Sequence, residues 1–151
     1  MTEISNNLKA SNIIRSKLLQ CGGTAVCTTL RGKEHIFESC NHNQSFRSTT
    51  GLSSKIYDFT VFDCVIDLLL ENGGTAVKGG GRGKADKLGY GSAGYDTVTG
   101  AIGKNYEGKK QGASVLSPTS VICAIMEWAG LVEVQYKYVK LSNSYKQQLL
   151  G

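Results

Sequence analysis

The chain has 151 residues with 40% hydrophobic and 19% charged side chains, enough for one modest core or two very small ones and too apolar for a disordered tail. Seventeen Lys and Arg against twelve Asp and Glu give +5, which favours an anionic partner. Nineteen glycines stand against one proline, where average usage would give about ten or eleven glycines, so many backbone positions must be tight, left-handed or closely approached.

The opening Met1 to Asn7 has no cationic stretch leading into an apolar one and so does not read as a signal peptide. The most apolar run, Phe59 to Leu70, is too short for a bilayer and holds Asp63 and Asp67. These features predict a cytoplasmic protein without a membrane span. In that compartment Cys21, Cys27, Cys40, Cys64 and Cys123 are expected to be reduced thiols, with Cys64 and Cys123 in the core.

A first helix is expected over about Ser11 to Gln20. It runs into Leu18-Leu19-Gln20-Cys21-Gly22-Gly23-Thr24-Ala25-Val26, which recurs 51 residues later as Leu69-Leu70-Glu71-Asn72-Gly73-Gly74-Thr75-Ala76-Val77. The match extends without a gap to Arg31-Gly32-Lys33 against Arg82-Gly83-Lys84, ten identities in sixteen positions. Each copy reads as a helix end, a Gly-Gly stop, a short strand and a basic loop. Either a helix-strand-loop unit is duplicated or a good helix-to-strand turn is used twice. Between the copies, Glu34 to Lys55 is polar and reads as a long connection or hairpin anchored by Ile36, Phe37 and Phe46.

The second helix is the stronger one. From Thr60 as N-cap, Val61, Phe62, Val65, Ile66, Leu69 and Leu70 form one broad apolar stripe, with Asp63 near the positive helix end. A third begins at Ser117 with Pro118 in its first turn, turns Val121, Ile122, Ile125, Met126 and Trp128 inward, and stops at Gly130. Trp128 is expected to pack on Phe62, Ile66 or Leu69. A strand over Leu131 to Leu141 follows, with Val132, Val134, Tyr136 and Tyr138 on one face.

The remaining stretch, residues 78 to 112, holds eleven glycines and follows an acidic helix with a basic segment. A Walker loop is excluded, because Lys78 stands at the first glycine position and Ala85 where a magnesium-binding hydroxyl belongs. Gly89-Tyr90-Gly91-Ser92-Ala93-Gly94 spells a dinucleotide fingerprint without the buried strand that should precede it. Ala85-Asp86-Lys87-Leu88-Gly89, with Val98 and Ile102 beyond it, resembles the first helix, turn and second helix of a winged helix-turn-helix domain over about Asp58 to Leu141. The resemblance is one of pattern. It departs from the family in a turn about three residues too long and in Gly100 and Gly103, each of which would cost the second helix roughly 1 kcal/mol relative to alanine.

The resemblance and the repeat together predict an α+β fold: an N-terminal helix-strand unit with a polar connection over 1–57, related to the second copy if the unit is duplicated, a winged-helix-like unit over 58–141 with helices near 84–88 and 95–106, and a tail over 142–151. The resemblance also implies a non-enzymatic nucleic-acid-binding protein without a cofactor or a bound metal. Lys78, Arg82, Lys84 and Lys87 would neutralise phosphates, Tyr95, Thr97, Lys104 and Asn105 would reach base edges, Lys109 and Lys110 would serve a wing, and Arg31 and Lys33 would add a second patch. The competing reading is a small inhibitor or regulator of phage or mobile-element type whose basic loop docks on a protein partner. A third is a metal-dependent nuclease built on Asp96 and Glu107-x-Lys109, although its carboxylates should then lie on paired strands. Cys21, Cys27, Cys40 and His42 match no familiar zinc spacing, and no serine or cysteine has an evident catalytic triad.

Overall fold

The computed structural model describes residues 4–49, 55–79, 82–116 and 119–150. It is a mixed α+β fold. In chain order the elements are α1 (Ala10–Gln20), β1 (Thr24–Thr28), β2 (Glu34–Cys40), β3 (Ser45–Ser48), β4 (Ile56–Asp58), α2 (Val61–Glu71), β5 (Thr75–Val77), β6 (Arg82–Lys87), α3 (Val98–Ala101), β7 (Ser114–Leu116), α4 (Thr119–Trp128), β8 (Val132–Val134), β9 (Tyr138–Leu141) and α5 (Asn143–Leu150). A π-helical turn, Ile102–Tyr106, continues α3. The strands form antiparallel sheets ordered β1-β2-β3-β4, β5-β9-β8 and β6-β7.

Both Gly-Gly-Thr-Ala-Val segments are helix-to-strand junctions. Gly22 and Gly23 sit at φ of 82° and 89°, Gly73 and Gly74 at 74° and 102°, values an L side chain rarely adopts. Gly23 N–H donates to the Leu18 carbonyl at 2.9 Å, and Gly74 N–H to the Leu69 carbonyl at 2.6 Å, so each helix ends in the same left-handed cap. The carbonyls of Gly23 and Gly74 then accept from Ser39 and Leu141, which tie each junction to the end of the strand returning beside it. Gly130, at φ 80°, ends α4 in the same way, with Leu131 N–H on the Met126 carbonyl at 3.0 Å.

The α2 stripe is buried as its periodicity predicts at Val61, Phe62, Val65, Ile66 and Leu69, but Leu68 completes it while Leu70 remains 37% exposed. The Thr60 hydroxyl makes no cap bond. Asp63 instead turns outward from α2 and accepts the Ser11 N–H at 3.0 Å, so a carboxylate from the second helix caps the first turn of the first. One hydrophobic cluster runs from Ala10 in α1 through α2 and α4 to Tyr145 in α5, so both repeat units share it. Phe46 lies 5.0 Å from Phe62 and 5.4 Å from Phe59, centroid to centroid, and anchors the polar 34–55 stretch as expected. That stretch is folded as strands β2 and β3, joined through Asn41, His42 and Asn43, all at positive φ, and leading to β4.

Several expectations are corrected. The 84–88 segment is strand and not helix, because β6 finds a backbone partner in β7, with a register shift between Gly83 and Lys87. The expected 95–106 helix begins only at Val98 and turns π-helical after four residues. Leu131 to Leu141 is a hairpin, closed by Gln135 N–H on the Tyr138 carbonyl at 2.8 Å, since β9 must face β8 on one side and β5 on the other. The expected tail is largely α5, held by buried Tyr145, whose hydroxyl donates to the Leu8 carbonyl at 2.7 Å. Trp128 is only half-buried; it meets Phe37 edge-on at 5.1 Å and lies under the Lys17 ammonium, 4.5 Å from the ring centre. Cys64, expected in the core, is half-buried, while Cys123 is fully buried as expected and Cys27 is buried as well. The expected N-cap Ser117 and first-turn Pro118 lie outside the described residues. Among the described residues no helix is long and apolar enough to cross a membrane.

Burial pushes the Cys27 thiol up to about 11, and Cys123 and the Tyr145 phenol up to about 12. A raised folded-state pKa means that the unfolded chain loses these protons first as pH rises. Stability is therefore expected to be full at pH 7 and to fall as pH climbs from about 9, the ordinary thiol value, through the folded values near 11 and 12. Urea midpoints should drop between pH 8 and roughly pH 10. The Cys27→Ala variant should show a shallower drop, and an unchanged slope would contradict the assignment.

Candidate nucleic-acid interface

The basic glycine-rich stretch builds a platform on the β6-β7 ribbon. Leu88, Ala93 and Val115 form a small core of their own beneath it. Beyond the ribbon, Leu88 N–H donates to the Ala113 carbonyl and Gly112 N–H to the Leu88 carbonyl, both at 2.9 Å, so the pairing continues into the loop. Gly89 sits at φ 92°, and a Cβ there would lie 3.2 Å from both Tyr95 and Gln111. Only a glycine lets these side chains close over the turn.

Around that turn, exposed tyrosines and lysines meet. Tyr90 is 57% and Tyr95 39% exposed. The Tyr90 hydroxyl accepts from Gln111 Nε2 at 2.8 Å, and Lys104 Nζ stands 4.7 Å from the Tyr95 ring centre, a cation–π contact that orders both. Lys87 Nζ donates to Ser114 Oγ at 2.9 Å and Lys109 Nζ to the Ser114 carbonyl at 3.1 Å. Asn105 and Lys110 are exposed nearby in sequence. Arg82 and Lys84 lie on β6 itself.

The other expected residues are placed differently. Thr97 is buried: its hydroxyl donates to the Gly94 carbonyl at 2.7 Å and accepts the Gly100 N–H at 3.0 Å, so it caps α3 and does not face a ligand. Lys78 is half-buried at the end of β5; its N–H donates to the Lys137 carbonyl, and its carbonyl accepts from Thr99. Arg31 and Lys33 are exposed at the tip of the β1-β2 hairpin, a separate loop.

Neither helix of the region is free to enter a groove. Val98 through Gly103 are all buried, and α4 buries seven of its ten residues. The tight fit explains the glycines: a Cβ on Gly100 would meet the Gly94 carbonyl and stand 2.8 Å from the Ala93 oxygen.

The nuclease set is not assembled on strands. Asp96 lies in the turn before α3, and Glu107 follows the π-helical turn, where its Oε2 pairs with Lys55 at 2.8 Å and Lys109 at 3.8 Å. Cys21 is exposed, Cys27 buried, Cys40 half-buried and His42 exposed, and among the described residues no three His, Cys, Asp or Glu side chains are gathered as a metal would need.

Three residues escaped the sequence reading. The β8-β9 turn leaves Tyr136 70% and Tyr138 45% exposed, with Lys137 between them. Tyr138 stands opposite Val77 on β5, and a bridge from Val77 to Thr97 joins this hairpin to the loop that carries Tyr95. As one strand, 131–141 sets both tyrosines on the face of Val132 and Val134; the turn at Gln135-Tyr136-Lys137 takes them off it.

No protein-family model, curated protein or solved structure is significantly similar to this chain.

Proposed function

We propose that this is a non-enzymatic nucleic-acid-binding protein, acting in the cytoplasm, that engages phosphates with lysines and bases with exposed tyrosines on the β6-β7 platform. The observation that carries the reading is the Tyr90-Gln111 and Tyr95-Lys104 arrangement over Gly89, in which one exposed ring is held by an amide and the other by a cation. Bases stack on such faces regardless of sequence, and lysines beside them follow the backbone. The order α2, β5, α3, α4, then the β8-β9 hairpin, with β6 and β7 inserted before and after α3, supports a winged-helix-like arrangement over 58–141. Burial of α3 and α4 argues for an unpaired strand laid across the platform and against a helix inserted in a duplex groove.

The test is the salt dependence of binding, read by fluorescence anisotropy with single-stranded and duplex oligonucleotides of DNA and RNA. Single strands are expected to bind more tightly than duplexes. Changing Lys87, Lys104 and Lys110 together to alanine should leave the circular dichroism spectrum intact, because all three are exposed. The plot of log affinity against log salt for a single strand should flatten by about 0.7 for each phosphate that is no longer neutralised, so about 2 in total. If the parent protein binds no oligonucleotide at low salt, the proposal fails and a protein partner for the basic loop takes its place.

A further inference from the structure

The four-stranded sheet ends in β1, which packs against α4 and, among the described residues, has no strand paired on its outer side. β1 pairs with β2 along one edge, Thr24 opposite Glu38 through Thr28 opposite Glu34, and among the described residues no backbone group bonds β1 from the other side. The other edges of the two larger sheets are guarded. β4 is three residues long, β5 is bridged at Val77 by Thr97, and the Val134 N–H of β8 donates to Glu127 Oε2 at 2.9 Å. β1 has five residues and no charge, proline or bulge, the devices that normally keep a strand edge from pairing.

Its side chains are also self-complementary. Thr24, Val26 and Thr28 are exposed on one face, and Ala25 and Cys27 turn inward. Val26 stands opposite Ile36, and both are exposed, at 46% and 37%. We infer that the free edge of β1 pairs, antiparallel and centred on Val26, with the same strand of a second copy of this chain. A two-fold axis at Val26 sets Val26 against Val26, Thr24 against Thr28 and Ala25 against Cys27 of the other copy. The two sheets become one of eight strands, and an apolar row of Ile36, Val26, Val26 and Ile36 crosses the joint.

Charge agrees with this occupant. The paired strands carry no ionisable side chain but the inward Cys27 thiol, and each Glu34 and Glu38 is separated from its counterpart by two threonine rows. The same register carries the Arg31 end of one hairpin toward the Gly22-Gly23 junction of the other, where the carbonyl end of α1 is negative. The inference is independent of the nucleic-acid reading, since it uses a different sheet.

Sedimentation velocity of the full chain, without nucleic acid, tests it. The parent protein is expected to sediment as a dimer that dissociates on dilution. Val26→Lys sets two ammonium groups against each other on the axis and should give a monomer with an unchanged circular dichroism spectrum; Thr24→Lys should do the same and serves if the first variant folds poorly. Amide exchange in residues 24–28 of the parent should slow as concentration rises. A parent that is monomeric at all concentrations, a dimer that survives both substitutions, or concentration-independent exchange in β1 overturns the inference.

Discussion

Gly100→Ala is expected to lower the unfolding free energy by about 3 kcal/mol or more, the range of a forced overpacking that side-chain motion cannot relieve. The added methyl group would meet main chain: the Gly94 carbonyl carbon at 2.6 Å and the Ala93 oxygen at 2.8 Å. That backbone is itself fixed, because Thr97 binds the Gly94 carbonyl and caps Gly100 with the same hydroxyl. Gly103→Ala supplies the contrast. Its Cβ would stand 3.3 Å from Leu88 Cδ1, the end of a side chain that can turn aside, so a change within about 1 kcal/mol is expected. Helix propensity alone would have both substitutions stabilise by about 1 kcal/mol, so urea denaturation separates the two accounts by sign at Gly100. A Gly100→Ala protein as stable as its parent would mean that the Gly94 turn does not press on α3.

Removing the aromatic faces should cost binding more than removing any one lysine. Stacking of a base on an aromatic ring contributes about 1–3 kcal/mol by alanine substitution, so Tyr90→Ala and Tyr95→Ala should each weaken single-strand binding roughly 5- to 150-fold. The salt slope should hold, because every lysine that neutralises a phosphate is still present. Tyr90→Phe keeps the ring and removes only the bond from Gln111, and it should retain most of the affinity. Both tyrosines are exposed, so thermal midpoints should move little. Affinity unaltered in both alanine variants would show that bases do not stack on this platform, whatever the lysines contribute.

Tyr136 and Tyr138 were the hardest of the candidate residues to find from sequence. In an alternating run, Val132, Val134, Tyr136 and Tyr138 share a face, and nothing local says that the chain reverses after Val134. The reversal depends on β9 lying between β8 and β5, a pairing between residues more than sixty positions apart. The same holds for β6. Its helical reading rested on Ala85 to Gly89, and its strand conformation rests on a partner beginning at Ser114.

What the sequence determined by itself was local. The paired glycines specified left-handed helix ends at 22–23 and 73–74, because only glycine takes that conformation without cost, and the 3.6-residue period of Val61 to Leu69 specified the buried face of α2. Segregation of acidic and basic residues marked 78–112 as the surface to consider. The tertiary structure alone decided which of those residues face outward. Thr97 and the α3 helix are withdrawn into the fold because the Gly94 carbonyl is carried against Gly100, while Tyr90, Tyr95 and Lys104 are left outside on a turn that Gly89 keeps open. Periodicity and glycine encode the conformation of neighbouring residues, whereas burial depends on which distant segment arrives on top, and that is set by strand pairings the local sequence does not contain.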